Sequence, residues 1–267
     1  MTKFTKIRNS GQALLITIML LAVALTVILA LSYTSKTDVQ LSKLEEENQR
    51  ALAAAEAGID ALVNQTTGQS VVISDLDSSL VQFSGSAEKA STQGPEFSTP
   101  LLQPNGHFTF YLGGYPAFDN PYSGSIVLYY SSKASCTDSS ADALEISIIY
   151  GSSYPYTIKR FVADGGNRLV VGTDEYQSQG NYTIDGVPYT CKTGAISISL
   201  ANPKMVIVRS IFNASRVGFE SSGGAGSLPS QGTVITSEAK TPSGVAKKIQ
   251  LFQSYPQIPA DFFITSF

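Results

Sequence analysis

The apolar positions of this chain follow three successive patterns. From Ala13 to Leu31 nearly every residue is aliphatic, interrupted only by Thr17 and Thr26. From Thr37 to Asn64 apolar and small residues recur at steps of three and four. Leu41, Leu44, Asn48, Leu52, Ala55, Ile59 and Leu62 fall on one face, while Glu45, Glu46, Glu47, Gln49 and Arg50 take the other. Beyond Phe108, short runs rich in aromatic and β-branched residues alternate with Gly, Pro, Asn and Asp. The three patterns predict a membrane-spanning helix, an amphipathic helix and a β-rich region.

No charged residue occurs between Asn9 and Ser35, a run of 27. A bilayer core requires about 20 apolar helical residues, so a span over about 12–33 is expected. Lipid leaves no partner for backbone polar groups, which makes the segment helical. Lys3, Lys6 and Arg8 precede it and Asp38, Glu45, Glu46 and Glu47 follow it, which predicts a single pass with its N-terminus in the cytoplasm. The other reading is a cleaved secretory signal peptide, whose apolar region is roughly 7–15 residues and ends at small residues. This run is longer, and Ser32-Tyr33-Thr34-Ser35 is a poor cleavage context.

The amphipathic stretch contains no proline and one glycine, Gly58, so it continues the span as one helix over 12–64. At 1.5 Å per residue that helix is about 80 Å long. Propensity alone does not hold such a helix in water, so its second half must lie against something. A coiled-coil stalk is one candidate, but the stripe covers about three heptads with Asn48 and Ala55 near its centre. Packing on a globular domain through Leu41, Leu44, Leu52, Ala55, Ile59 and Leu62 is the expectation.

A short basic leader ends in Gly11, and Gln12-Ala13-Leu14-Leu15-Ile16 then opens the apolar helix. The helix runs on into Glu45-Glu46-Glu47-Asn48-Gln49-Arg50-Ala51-Leu52-Ala53-Ala54-Ala55-Glu56-Ala57-Gly58-Ile59. This arrangement resembles the N-terminal region of PilX-type minor pilins of type IV pili, and the pseudopilins of type II secretion that share the leader design. The likeness covers roughly residues 3–64, about a quarter of the chain, and Ala-Ala-Glu-Ala-Gly after an acidic cluster is its most specific part. It implies cleavage between Gly11 and Gln12 by a prepilin peptidase and methylation of the new amine. It also implies extraction of the helix from the membrane by an inner-membrane assembly platform, and contact with other pilins or pseudopilins through Leu14, Leu15, Ile16, Leu20 and Leu21. Major pilins carry a glutamate five residues into the mature chain, where this sequence has Ile16. In the family that carboxylate pairs with a neighbour's N-terminal amine in an apolar filament core, where a lone charge is costly. A subunit without it suits a low-copy position near the tip.

Residues 65–106 are rich in Ser, Thr, Gly and Gln and read as a loop-rich connection with one short helix near Asp75–Phe83. Strands are expected at 108–112, 126–130, 144–150, 156–161, 196–200, 205–211, 233–237 and 248–252. Asp164-Gly165-Gly166-Asn167 and Asp185-Gly186 mark tight turns, and 221–227 a flexible surface loop. The fold class expected is α+β: a long transmembrane-plus-amphipathic helix packed on one β-rich extracytoplasmic domain over 107–267, as in pilins. A last strand should lead into a proline-fixed tail at Pro256 and Pro259, with Phe262, Phe263, Ile264 and Phe267 too apolar to stand in water.

The remaining composition removes function classes. Eighteen basic against 21 acidic residues, net −3, provide no electrostatic case for nucleic acid. One histidine, His107, sits in a turn context and is no evident general base. No nucleophile elbow or dinucleotide loop occurs, and Gly224-Ala225-Gly226 lacks the strand and third glycine. Asp75 with Asp77, or Asp138 with Asp142, lack the ligand density of a calcium loop, so no metal and no cofactor is expected. Cys136 and Cys191, both beyond the span, read as a structural disulfide or as two unpaired thiols. Tyr111, Tyr115, Phe118, Tyr122, Tyr129, Tyr130, Tyr150, Tyr154 and Tyr156 crowd into about fifty residues, as packing of a tyrosine-rich β domain or as an aromatic binding face. Two functions follow: a pilin-like structural subunit rather than an enzyme, or a membrane-anchored surface protein whose β domain binds a ligand outside any filament.

Overall fold

A continuous helix, α1, runs from Ser10 to Val63 in the computed structural model, which describes residues 10–169, 173–223 and 226–259, with side chains from Leu14 onward. Its 54 residues extend about 80 Å. The threonines within the apolar stretch do not break it. Thr17 and Thr26 donate their hydroxyls to the carbonyls of Leu14 and Val23, each at 2.8 Å, so neither leaves a polar group facing an apolar surrounding.

The β part has 15 strands among the described residues. They are β1 Ser70–Val72, β2 Ser84–Ser91, β3 Glu96–Ser98, β4 His107–Tyr111, β5 Ser125–Tyr130, β6 Ala143–Tyr150, β7 Thr157–Ala163 and β8 Thr173–Asp174. There follow β9 Tyr176–Ile184, β10 Val187–Thr193, β11 Ile196–Ser197, β12 Pro203–Ile211, β13 Val217–Ser222, β14 Gly232–Lys240 and β15 Ala246–Ser254. Three sheets result, with orders β1-β2-β14-β15, β3-β13-β5-β10-β9 (β11 also on β5) and β4-β12-β6-β7-β8. The molecule is therefore α+β, with a long apolar N-terminal helix and several β-sheets.

The stretch 65–106 holds more order than its composition suggests. It contains β1, β2 and β3 and two 3-10 turns, Ile73–Asp75 and Ser78–Leu80. In β2 only Ala87 and Lys89 are buried, so the strand carries almost no apolar signal. The chain divides into two compact units, one built from 1–61, 71–87 and 237–249, the other from 62–70, 88–236 and 250–267.

In the first unit, Ala54 and Ala55 of α1 share a buried cluster with Ile73, Phe83 and Ala239, against which Leu76, Leu80 and Ile249 pack. In the second, the six- and five-stranded sheets enclose one core. Ile126, Leu128, Tyr130, Val217 and Phe219 come from one sheet, and Phe108, Phe110, Ile146, Ile148, Val206 and Val208 from the other. Alternate residues of each strand point inward, and Phe110 stacks on Phe219 with ring centroids 4.2 Å apart.

Asp185 and Gly186, with φ of 49° and 73°, form the two-residue turn joining β9 to β10. Of the other expected turn, Asn167 takes a positive φ of 51°. Cys136 and Cys191 form a disulfide with Cα atoms 5.8 Å apart, joining the loop before β6 to β10 itself rather than to a loop before Ile196. Ser221 and Ser222, expected in a loop, close β13. After β15 the chain follows β4, the edge of its sheet. Tyr111 Oη donates to Pro256 O at 2.5 Å, Thr109 N donates to Gln257 Oε1 at 2.7 Å, and Ile258 N donates to Thr109 Oγ1 at 3.1 Å. That occupies an otherwise open strand edge. The basic leader up to Asn9 and the tail residues Phe262, Phe263, Ile264 and Phe267 lie outside the described residues.

Candidate functional site

Helix α1 carries the candidate site, and its two halves meet different surroundings. Leu14, Leu15, Ile16, Leu20 and Leu21 are all exposed, as is every apolar side chain up to Leu31. None of the most apolar window of the helix is buried inside the protein. A core helix of a soluble protein with this hydropathy would be covered. The segment is long and apolar enough to cross a membrane, and such a surface far exceeds the apolar patch a soluble monomer tolerates. Gly11 and Gln12 fall in its first turns.

The second half packs through only part of the stripe that periodicity selects. Leu41, Leu44 and Leu52 are exposed. The buried positions are Ala51, Ala54, Ala55, Gly58, Ile59 and Leu62. Two physical reasons account for the difference. Burial begins only near Ala51, so Leu41 and Leu44 precede the contact. Leu52 is one residue, about 100° of helix, around from Ala51 and looks outward. Ala55, Ile59 and Leu62 are buried as expected.

Small residues make this face because the helix backbone approaches its neighbours closely. A Cβ on Gly58 would lie 2.4 Å from Ser237 Oγ, 2.7 Å from Ile73 Cδ1 and 2.9 Å from Ala87 Cβ. Nearby, the Ser243 hydroxyl donates to the Glu47 carboxylate. Arg50 pairs with Glu46 at 2.7 Å across one turn, an exposed pair of little energetic weight. The helix end is also specified. Buried Lys89 donates its ammonium to Val63 O at 2.8 Å and Leu62 O at 3.3 Å, placing a cation where terminal carbonyls lack partners. Sequence reasoning missed Ala51, Ala54, Gly58 and Lys89. The run Ala-Ala-Ala-Glu-Ala-Gly over 53–58 was the available signal for Ala54 and Gly58.

His107 begins β4 half-buried. Among the described residues no group of three or more His, Cys, Asp or Glu side chains is arranged to hold a metal. Asp77 accepts from Ser79 N at 2.8 Å, which holds its carboxyl below the ordinary range, and buried Asp142 lies 3.6 Å from Lys133 Nζ. For Asp164, burial raises the pKa, but Arg168 at 2.7 Å and the N–H groups of Arg168 and Gly166 outweigh it and hold the carboxyl low. Arg168 also donates to Ser139 O and Ala141 O, clamping the loop that carries Cys136. Burial pushes the phenol of Tyr189 up to about 12 and those of Tyr129 and Tyr130 higher, so these tyrosines stay neutral. A cleft of about 960 Å³ in the second unit is lined by Glu96, Asp185 and Arg216 among neutral residues. There Asp185 N donates to Glu96 Oε2 and Ser98 N to Asp185 Oδ2, so the two carboxylates tie the Asp185 turn to β3.

Comparison with protein-family models, with curated proteins and with solved structures returns no match for the chain.

Proposed function

We propose that this chain is a minor pilin-like structural subunit of a type IV pilus or related filament, held in the membrane by α1 until assembly. The observation that carries the reading is the continuity of α1. Its fully exposed apolar half passes without a break, a proline or a linker into a half that packs through small side chains. A ligand-binding surface protein needs only an anchor, and a flexible linker would serve it better than a rigid helix. A subunit that must transmit its position through a packed helical array needs the continuous rod. The Gly11–Gln12 junction, the acidic cluster and the Ala-Ala-Glu-Ala-Gly element add support from sequence. The disulfide fits an oxidising compartment, so the β part belongs outside the cytoplasm and the basic N-terminus inside it. The partners of this reading are other pilins or pseudopilins, a prepilin peptidase and an inner-membrane assembly platform. Ile16 in place of a glutamate suits a low-copy position.

The test is the N-terminus and intact mass of the full chain co-expressed with an active prepilin peptidase, beside a peptidase-free control. A mature chain starting at Gln12, absent from the control, is expected. An uncut chain, beside a known prepilin cut in the same cells, would favour the anchored surface protein.

A further inference from the structure

At one end of the five-stranded sheet, three loops emerge from neighbouring strands. Register pairs Tyr111 of β4 with Met205 of β12, Pro203 of β12 with Tyr150 of β6, and Tyr150 with Thr157 of β7. The loops over 112–124, 151–156 and 198–202 therefore open side by side. They are tied together, since Leu112 N donates to Lys204 O at 2.9 Å and Gly151 N to Asn202 O at 3.1 Å.

Their composition is unlike the rest of the surface. They hold Gly, Ser, Asn, Pro and aromatic residues, and Asp119 is their only charged side chain. Lys204, at the root of β12, is turned onto the Phe118 ring at 5.4 Å and bonded to Asn202 Oδ1 at 3.2 Å. Tyrosine with Ser, Gly and Asn is the chemistry of recognition loops. The ring supplies rigid contact area with two rotatable bonds, and the small polar residues supply adaptable hydrogen bonds.

Packing accounts for only part of the aromatic set. Tyr111, Tyr122, Tyr129 and Tyr130 are buried, whereas Tyr115, Tyr154 and Tyr156 are 37%, 88% and 50% exposed. Tyr115 is held from behind by stacking on Tyr255 at 4.8 Å and edge contact with Tyr111 at 5.1 Å, so its ring is fixed before anything binds. Strands β4, β12, β6 and β7 are consecutive neighbours, so the root of the 112–124 loop lies two to three inter-strand spacings, about 9–14 Å, from the roots of the Tyr154–Tyr156 hairpin.

Charge and geometry select the occupant. A polyanion such as nucleic acid is bound by clustered Lys and Arg, and this end has only Lys204 and, three residues into β7, Lys159, each turned onto an aromatic ring. A folded protein partner draws its affinity from rings set in a surround that excludes water, and Tyr154 has no such surround. A sugar ring needs less: one flat C–H face against one aromatic face, with its hydroxyls on neighbouring Ser, Asn and Tyr groups. We propose that this end of the five-stranded sheet binds an uncharged polysaccharide, with Tyr115, Tyr154 and Tyr156 each stacking on a sugar ring. The site is independent of how α1 is used.

The test uses the full chain in a polyoxyethylene detergent, which carries no sugar headgroup to compete. It is applied to an array of uncharged oligosaccharides (α- and β-glucans, mannans, galactans, xylans and N-acetylglucosamine oligomers), with heparin and single-stranded DNA as polyanion controls. Binding to at least one uncharged glycan is expected, weakened at least about tenfold in Tyr154→Ala/Tyr156→Ala with an unchanged melting temperature. Tyr154→Phe should retain most of the affinity, because stacking needs the ring and not the hydroxyl. No binding across the uncharged array by a chain that melts cooperatively would overturn the proposal. So would binding equally tight in the double variant, or retention on the polyanions alone.

Discussion

Gly58 is the position where one atom decides the most. In an exposed helix interior, replacing glycine by alanine raises stability by roughly 0.5–1 kcal/mol. At Gly58 the added methyl would meet Ser237, Ile73 and Ala87 inside ordinary contact distance. Ser237 Oγ and Ile73 Cδ1 end side chains that can turn aside, but Ala87 Cβ cannot move without β2. Overpacking of this kind costs typically 1–3 kcal/mol, which exceeds the helix gain. Gly58→Ala is therefore expected to lower the melting temperature of the full chain in detergent, and Gly58→Val to lower it further. Ala53, exposed on the same helix, provides the contrast, since Ala53→Gly should destabilise by the ordinary helix penalty. A neutral or stabilising Gly58→Ala would show that the close approach is absent. At this scale the sequence was half legible. The small residues stood in plain view, but the periodicity argument ranks positions by hydrophobicity and so favoured Leu41, Leu44 and Leu52. A face that admits a backbone is chosen by lack of bulk, which hydropathy does not score.

Elements were legible where one face of a strand is strongly apolar, and hidden where it is not. Strands β4, β5, β6 and β12 feed the core with Phe, Leu, Ile and Val and stand out. Strand β9, Tyr-Gln-Ser-Gln-Gly-Asn-Tyr-Thr-Ile, is the edge of its sheet and only Ile184 is buried, so nothing in its hydropathy announces a strand. Its turn was visible in Asp185-Gly186 while the strands it joins were not, because positive φ leaves a residue signature and backbone pairing does not. The disulfide anchors this region by fixing the loop around Cys136 to β10. Gln179 of β9 adds to the anchor, accepting from Cys136 N at 3.1 Å and donating to Ala134 O at 2.7 Å. On the chain-entropy account, closing a loop of 55 residues stabilises by about 4 kcal/mol. Cys136→Ser/Cys191→Ser is expected to lose roughly 2–4 kcal/mol, the lower part of that range where Gln179 and Arg168 still hold the loop. Urea unfolding followed by near-ultraviolet circular dichroism reads it, since the chain has 13 tyrosines and no tryptophan. Reduction of the native protein should shift the midpoint as far as the double variant does. An unmoved midpoint in both would mean that the polar clamps alone organise the loop.

At the scale of the molecule, contiguity separates what a linear reading reaches from what it does not. The apolar segment of α1 is one stretch of sequence and declares itself through composition alone. The two compact units are not stretches: each gathers three separated segments, and β2, β14 and β15 each supply residues to both. No local pattern encodes that division, because it depends on which strands pair. The membrane segment can be tested by the physics that identified it. An arginine near the middle of a spanning helix costs about 2.5–3.5 kcal/mol, against a gain of about 0.3–0.6 kcal/mol for the leucine it replaces. Leu21→Arg/Leu25→Arg should therefore withdraw about 6–8 kcal/mol from insertion. The wild-type chain is expected to stay with the membrane fraction through alkaline carbonate extraction and to leave it in detergent, while the double variant appears in the carbonate supernatant or in aggregates. Leu41→Arg/Leu44→Arg makes the same change of charge on exposed helix beyond the span and should leave fractionation unaltered. Retention of the Leu21→Arg/Leu25→Arg chain through carbonate would mean that contacts with other proteins, and not lipid, cover the exposed half of α1.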